Sequence, residues 1–383
     1  MLLQRFAVCL LLVVALNSAA ATVVEGLAAL GRHDYPKALA QLEPLAVLGD
    51  KQAQTALGFM YLKGLGVSLD AQKALNWYRL AAEQGDAQAQ YRLAWLYDGA
   101  ANVAQDPNQA LRWYQLAAQQ GVSAAQYRLG VLHLRGQGAA RDGSQAEQWL
   151  RRAAAQRHVG AQYSLGFMYD NGQGVAQDFT QASSWYRLAA EQGDAAAQTN
   201  LGQLYIAGKG VTQDRGLAIK WFRAAAEQGH ALGQYNLAMA LDSGQDASQQ
   251  QLEVANWYRQ AAEQGVALAQ ASLGDKYANG RGVTQSDAEA VKWYRLAAEQ
   301  GYPGAQLDLG VMYGQGRGVA PSSVVAYALF NLAALGAGGD KNARHNRDLL
   351  SANMSEQQLQ AARDLSREMG YRPLRAIDAY LAQ

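Results

Sequence analysis

The sequence predicts an all-α protein: a right-handed superhelical α-solenoid of about eight 36-residue helix-turn-helix repeats with N- and C-terminal helical caps. Seven of the eight tryptophans recur every 36 residues from Trp77 to Trp293, without insertion or deletion. A glutamine column beginning at Gln54 and a leucine column beginning at Leu57 follow the same period. Within each period the apolar residues have helical spacing and are interrupted by glycine. A period of this length indicates stacked units of one array, not separate domains.

The first helix of each repeat, helix A, is predicted from a short apolar face. In the first full repeat, Ala53, Leu57, Gly58 and Tyr61 recur at helical spacing. The glycine on this face lets a neighbouring element approach closely. The turn at 64–67, Gly-Leu-Gly-Val, ends the helix, because glycine readily adopts the positive φ of a helix C-cap.

The second helix, helix B, is predicted from Asp70 to about Gln84, with Asp70 as a cap or first-turn carboxylate. Trp77 lies on its apolar side, so the tryptophan column is expected in the core. Arg79 and Glu83 are four residues apart on the opposite side, which is typical of a solvated face. Because one helix pair cannot bury its apolar stripe alone, consecutive pairs must stack.

The start of the chain has the layout of a signal peptide. One basic residue, Arg5, precedes the apolar run 6–16, and small residues follow up to Ala21. The run is too short for a membrane span, so we expect export with cleavage near Ala20 or Ala21; a retained anchor is the alternative. The predicted organisation is a signal peptide at 1–21, an N-terminal helical cap at 22–48, the repeat array at 49–336 and a C-terminal helical cap at 337–383. The expected location is periplasmic or secreted.

Charge and chemistry exclude several classes of function. Lys and Arg total 33 against 32 Asp and Glu, and Arg5 is the only charged residue before position 22, so the cleaved chain would carry no net charge. We therefore expect no nucleic acid partner and no stable membrane insertion after cleavage. Cys9 is the only cysteine, and the five histidines are scattered without ligand spacing. We expect no catalytic residue, no cofactor and no metal.

The repeated motif resembles the Sel-one-like repeat (SLR) family, relatives of tetratricopeptide repeats. The motif is Ala-Gln-x-x-Leu-Gly-x-x-Tyr-x-x-Gly-x-Gly-Val followed by Ala-x-x-Trp-Tyr-x-x-Ala-Ala-x-x-Gly, and it spans about 53–334. The resemblance implies an adaptor that binds other proteins, and exported bacterial members serve in envelope assembly, secretion or host contact. One cysteine-stapled branch is associated with β-lactam hydrolysis. The cleaved chain has no cysteine and no Ser-x-x-Lys motif, so a β-lactamase-like activity is not supported.

A candidate binding strip follows helix A, which lines the concave side of tetratricopeptide-like stacks. The column that begins at Ala56, the polar column, has a polar residue in every repeat after the first. A tyrosine comes directly before this position in four repeats. Tyr, Trp and Arg are the residue types that anchor extended partners. The candidate partner-binding residues are Tyr91, Arg92, Trp95, Tyr127, Arg128, Tyr163, Asn200, Gln203, Tyr235 and Asn236.

Three alternatives remain open at this stage. The groove could bind a protein or peptide segment of the envelope, or instead glycan or peptidoglycan fragments. The tyrosines could grip a partner or pack between A helices. The stretch 238–254 departs from the repeat at several positions, which fits relaxed drift, a hinge or a binding site. The partner, the pathway and the oligomeric state are not defined by the sequence.

Overall fold

The computed structural model describes residues 23–137, 139–243, 250–335, 340–370 and 373–382, and every regular element in these ranges is helical. The predicted signal peptide at 1–21 lies outside the described residues. The chain divides into two compact units after Leu188.

The first unit contains nine complete helices and the start of a tenth within its described residues. The first helix, α1, covers 23–31. The others are α2 (Tyr35–Val47), α3 (Lys51–Lys63), α4 (Ala71–Glu83), α5 (Ala87–Tyr97), α6 (Pro107–Gln119), α7 (Ser123–Arg135), α8 (Gly143–Ala155), α9 (Val159–Asn171) and α10 (Phe179–Glu191), which continues into the second unit.

The second unit continues the alternation of two helices per repeat and ends with three further helices. Its described helices are α11 (Ala195–Ala207), α12 (Arg215–Glu227), α13 (Ala231–Asp242), α14 (Gln251–Glu263), α15 (Ala267–Asn279), α16 (Asp287–Glu299), α17 (Pro303–Gln315), α18 (Ser323–Leu335), α19 (Lys341–Ser351), α20 (Glu356–Met369) and α21 (Pro373–Leu381). The prediction of an all-α array of 36-residue helix pairs is confirmed.

Caps and turns define each pair as the sequence indicates. Asp70 accepts a hydrogen bond from the Lys73 N–H at 2.9 Å, which satisfies one free donor of the first turn of α4. Gly64 ends α3 with φ of 68°, and Gly66 has φ of 70°, so the turn needs two residues in the left-handed region. Helix A and helix B of one repeat are therefore joined by a turn of fixed geometry.

The core residue of helix B is the one that follows the tryptophan. Tyr78 is buried and its ring lies against Gly58 of helix A, where a Cβ would be only 2.8 Å away. Trp113 and Trp293 are buried, but the other five members of the column are half-buried: Trp77, Trp149, Trp185, Trp221 and Trp257. The column was expected in the core, and Trp77, Trp149 and Trp185 pack against the core from its edge. A cation covers several of these rings, as Arg152 does at 4.5 Å from the Trp149 centroid.

The glutamine column is a set of buried hydrogen-bond bridges between helices. Gln126 Nε2 donates to the Ala118 carbonyl of the preceding helix B at 3.0 Å, and Gln126 Oε1 accepts from Gln156 Nε2 at 2.8 Å. The same pair of bonds recurs at Gln54, Gln90, Gln198 and Gln270. One side chain thus ties its helix to the repeat before it and to the second helix of its own repeat, which explains the unbroken column.

The arginines of helix B also link repeats. Arg79 donates to the Tyr97 hydroxyl in the next A helix at 2.8 Å, and Arg295 donates to Tyr313 in the same way at 3.0 Å. Arg79 and Glu83 are both exposed, as expected of a solvated face, and among the described residues they form no ion pair with each other. The guanidinium reaches a phenol on the neighbouring repeat instead.

Two departures from the repeat have different consequences. In the second repeat, Gly99 and the short 3-10 turn Ala100–Asn102 replace the glycine pair, and Ala101 and Asn102 take positive φ. In the sixth, Ala238 replaces the core glycine and is buried. Residues 244–249 of the irregular stretch lie outside the described residues.

Candidate functional site

The A helices of the first unit present a surface with two clefts. We call the side chains of α3, α5, α7 and α9 that the core does not bury the A face. The N-terminal cleft lies between α1, α3 and α5 and has a volume of about 330 Å³. Its lining consists of Leu27, Leu30, Gln52, Thr55, Ala56, Phe59, Tyr78, Asp86, Gln88 and Arg92.

The second cleft lies between α7 and α9 and has a similar volume of about 330 Å³. Aromatic side chains from both helices line it together with one exposed cation, Arg135. Its lining consists of Tyr127, Val131, Leu134, Arg135, Tyr163, Ser164, Phe167 and Gln173. In both clefts the polar column contributes a small side chain, Ala56 or Ser164.

The six candidate residues of the first unit are all half-buried; three of them line a cleft, and Tyr91, Trp95 and Arg128 line neither. Arg92 lines the N-terminal cleft, whereas Tyr127 and Tyr163 line the second. The Tyr91 ring packs on Tyr114 of helix B with centroids 6.0 Å apart, and Tyr127 stacks on His158 at 4.6 Å. These tyrosines therefore contribute to packing with one side and to the A face with the other.

Arg128 forms an ion pair within the protein. Its guanidinium forms an ion pair with Asp98, and the Tyr114 hydroxyl donates to the same carboxylate at 3.2 Å. Burial raises the pKa of Tyr114, so the hydroxyl is a donor at neutral pH. The result is a carboxylate held between a tyrosine and an arginine of consecutive repeats.

The four candidate residues of the second unit are less uniform. Gln203 is exposed and Asn200 is half-buried, while the Tyr235 ring packs on Tyr258 at 6.0 Å. Asn236 is buried, and its Nδ2 has no hydrogen-bond acceptor among the described residues. Gln203 is therefore open to direct contact with a partner, whereas Asn236 is buried and lines neither of the two clefts.

Several features of the A face were missed by sequence reasoning. Leu27 and Leu30 belong to α1, which the sequence marks only as a cap, yet they form one wall of the N-terminal cleft. Phe59 and Phe167 occupy the same column as Trp95, where the variation of residue type concealed that three of its members are aromatic. The buried Tyr78 also contributes to the cleft, and its repeated position marks it only as core.

The described residues show no arrangement typical of a metal site or a membrane segment. No group of three or more His, Cys, Asp or Glu side chains there is placed to hold a metal ion. His158 and His230 instead cap helices, with Nδ1 accepting backbone N–H bonds at 3.2 Å. None of the helices in the described part of the chain combines the length and apolar character that spanning a bilayer requires.

Comparison with known proteins agrees with this architecture. The Sel1 repeat family model matches eight consecutive segments, at 51–86, 87–122, 123–158, 159–194, 195–230, 231–266, 267–302 and 303–337. The crystal structure of c5321, a protective antigen present in uropathogenic Escherichia coli strains and displaying an SLR fold, is similar with 32% identity and a TM-score of 0.62. That match covers 94% of this chain and 86% of c5321.

A second similar structure is a Sel1 repeat protein from Oxalobacter formigenes, with 31% identity and a TM-score of 0.62, covering 82% of this chain and 90% of the other. A comparison with curated protein sequences gives no match. The fold and its face define a helical-repeat protein of the interaction-scaffold class. The chain belongs to the Sel1 repeat family, whose members are generally non-catalytic scaffolds for protein–protein interaction. The resemblance seen in the sequence is confirmed.

Proposed function

We propose that this protein is an exported, non-catalytic adaptor that binds a protein segment through the A face, in the bacterial envelope or outside the cell. The observation that carries the proposal is the pair of clefts between successive A helices. Each combines aromatic or aliphatic side chains with an arginine, the composition that favours binding hot spots. The opposite sides of these helices are buried by packing between repeats, so this face is available for recognition.

Export is a separate part of the proposal and rests on residues 1–21. A basic residue, a short apolar run and small residues before Ala21 support cleavage near that point. Expression of the full chain in a Gram-negative host, cell fractionation and N-terminal sequencing test it. An uncleaved N-terminus, or a product confined to the cytoplasm, would contradict export and leave the binding proposal standing.

The binding proposal is tested by capture from a solubilised envelope fraction. The variant carries Trp95→Ala and Phe167→Ala, and the matched control carries Leu80→Ala, which removes an exposed side chain of helix B. We expect the double variant to lose captured protein and the control to retain it. Circular dichroism and thermal unfolding check that both variants are folded.

The glycan alternative is separated from the proposal in the same experiment. Purified cell-wall polymer, free of protein, is offered to the unmodified chain. Polymer binding that the double variant loses, together with unchanged protein capture, would favour glycan recognition and contradict the adaptor proposal.

A further inference from the structure

Tyr78 carries a buried hydroxyl that lacks a hydrogen-bond partner. The side chain is 1% exposed, and its Oη has no partner among the described residues. Tyrosines at the same repeat position differ: Tyr114, Tyr186 and Tyr294 donate to Asp98, Asp170 and Asp275, respectively. Because buried polar groups are normally hydrogen-bonded, the Tyr78 hydroxyl needs an explanation.

The explanation begins with the residue that replaces the carboxylate. Position 62 is 36 residues before Asp98 and carries a leucine, so repeat one has no internal acceptor at this place. Arg92 lies in the repeat that follows Tyr78, at the position that Arg128 occupies in the repeat that follows Tyr114. In the described part of the chain, no carboxylate lies within ion-pair distance of Arg92, whose guanidinium is 5.5 Å from the Tyr91 ring. The tyrosine and arginine donors are both present, but the carboxylate between them is not.

Both donors line the N-terminal cleft. The cleft exists because repeat one has Thr55 and Ala56 where the next repeat has Tyr91 and Arg92. Burial raises the pKa of Tyr78 well above its usual value, so its hydroxyl stays a donor at neutral pH. Asp86 also lines the cleft, but it accepts the Ala89 N–H at 2.7 Å and its charge is offset by the N-terminus of α5.

We propose that the N-terminal cleft binds an Asp or Glu side chain of a partner polypeptide, with the Tyr78 hydroxyl and the Arg92 guanidinium as its donors. This proposal rests on the proposed function and adds the chemistry of the bound segment. A carboxylate is the acceptor that satisfies a phenol and a guanidinium together, as Asp98 does one repeat later. Leu27, Leu30 and Phe59 form the apolar part of the lining, so the acidic residue is flanked by an apolar one.

The test uses a linear random-peptide library selected on the chain beginning at residue 22. We expect the selected peptides to share an Asp or Glu beside a bulky apolar residue. A selected peptide is then synthesised with an amidated C-terminus, so that its only carboxylate is the side chain. Titration by fluorescence anisotropy gives its affinity for each variant.

Four variants separate the contributions. We expect Tyr78→Phe and Arg92→Gln each to weaken binding about tenfold or more, the effect of losing one charge-assisted hydrogen bond. Tyr78→Phe removes only an unpartnered hydroxyl, so we expect thermal stability to stay equal or rise. Tyr114→Phe is the matched control, because the Tyr114 hydroxyl already donates to Asp98. This variant should lose stability and retain its affinity for the peptide. Leu62→Asp supplies the missing carboxylate from within and should block the peptide while the fold is kept.

The outcomes distinguish this inference from the proposed function. Peptides without an acidic residue, or full affinity in both Tyr78→Phe and Arg92→Gln, would overturn the carboxylate site. If Trp95→Ala with Phe167→Ala still abolished binding of those peptides, the A face would remain the binding surface. Failure to select any peptide would overturn the carboxylate site as well. Binding of muropeptides to the cleft in place of peptides would contradict both proposals.

Discussion

The buried glutamines show how a polar side chain supports an array of apolar cores. Each lies at 3–5% exposure and bonds to a carbonyl eight residues earlier, in the last turn of the preceding helix B. An apolar residue of the same size would fill the space but would not bridge the two helices: the Ala118 carbonyl, for example, would keep only the bond from the Gly121 N–H. The requirement is geometric and identical in each repeat.

Gln126→Ala is expected to lower the free energy of unfolding by about 1–3 kcal/mol, because it removes two hydrogen bonds, one to the Ala118 carbonyl and one from the Gln156 amide, at about 0.5–1.5 kcal/mol each. Gln119→Ala, at an exposed position of α6, is the control and should change stability little. Urea unfolding followed by circular dichroism measures both. Equal stability of the two variants would contradict a structural role for the column.

The two histidine caps make helix stability depend on pH. His158 and His230 occupy the place of the capping aspartates Asp50, Asp86 and Asp194, and their Nδ1 atoms must be unprotonated to accept the backbone N–H. Desolvation lowers the pKa of both side chains; at His230, nearby Asp194 opposes the effect. With the pKa lowered in the folded state, the unfolded chain binds more protons. The capping contribution is therefore complete above the ordinary pKa of 6.5 and is lost as pH falls through the lower folded value.

Replacing both residues, His158→Asp with His230→Asp, should remove this part of the pH dependence, because an aspartate cap remains ionised at mildly acid pH. Each cap contributes about 0.5–2 kcal/mol. Stability is measured by urea unfolding at about pH 7.5 and about pH 5, on either side of the histidine range. A double variant whose stability falls as steeply as that of the unmodified chain would contradict the assignment.

At the scale of the element, the turn of the second repeat has two consecutive non-glycine residues at positive φ, Ala101 and Asn102. Ala101 has φ of 54° within the short 3-10 turn, a conformation that costs a residue with a Cβ about 1 kcal/mol or more. Ala101→Gly should therefore raise the free energy of unfolding by about 1 kcal/mol. Ala100→Gly, one residue earlier at an ordinary φ, should lower it. Thermal unfolding measures the stability of both variants. Stabilisation by Ala100→Gly alone would contradict the account.

The junction of the sixth and seventh repeats contains a buried lysine in a core column. Lys276, with 4% of its side chain exposed, occupies the place of Met60, Leu132 and Met312 and pairs with Asp242 at 2.6 Å. Gln251 Oε1 accepts a second bond at 2.9 Å. The charge of the buried lysine is thus balanced by Asp242, which belongs to the irregular stretch 238–254 and lies 34 residues away in the sequence.

Asp242→Ala should cost about 2–3 kcal/mol, less than a fully buried pair because Asp242 is 30% exposed and Gln251 still accepts. Adding Lys276→Met should recover most of that loss, since methionine fits the same column elsewhere. A double-mutant cycle by urea unfolding measures the coupling. Additive losses would show that the two side chains do not act as a pair.

At the scale of the whole molecule, the repeat architecture was predictable and the clefts were only partly so. An exact period, helical spacing and glycine turns specify helix pairs because each is a local signal repeated in register. Arg92, Tyr127 and Tyr163 were found because they recur beside the apolar face. The role of Tyr78 was not predicted. Its hydroxyl lacks a partner because Leu62 occupies the position of the accepting carboxylate, and in the sequence Leu62 looks like an ordinary core residue.

The same limit applies to the depth of the tryptophans and to the partners of the arginines. A column shows that a residue is needed, but it does not show how deep the ring lies, so Trp149 at the edge and Tyr78 in the core look alike. Arg79 and Glu83 indicate a solvated face because they are neighbours on one helix, but the hydrogen bond from Arg79 to Tyr97 on another helix cannot be seen in that pattern. Contacts between repeats require the stacking geometry, which a single chain's pattern does not contain.

The central claim is that recognition takes place on the A face and not on the outer face of the B helices. The most direct test inserts a photo-crosslinking amino acid at Phe167, which is 39% exposed on the A face, and separately at Leu80, which is 46% exposed on helix B. After irradiation in the native envelope, the account predicts one specific covalent protein adduct from position 167 and none from position 80. Adducts from position 80 alone, with none from position 167, would contradict it.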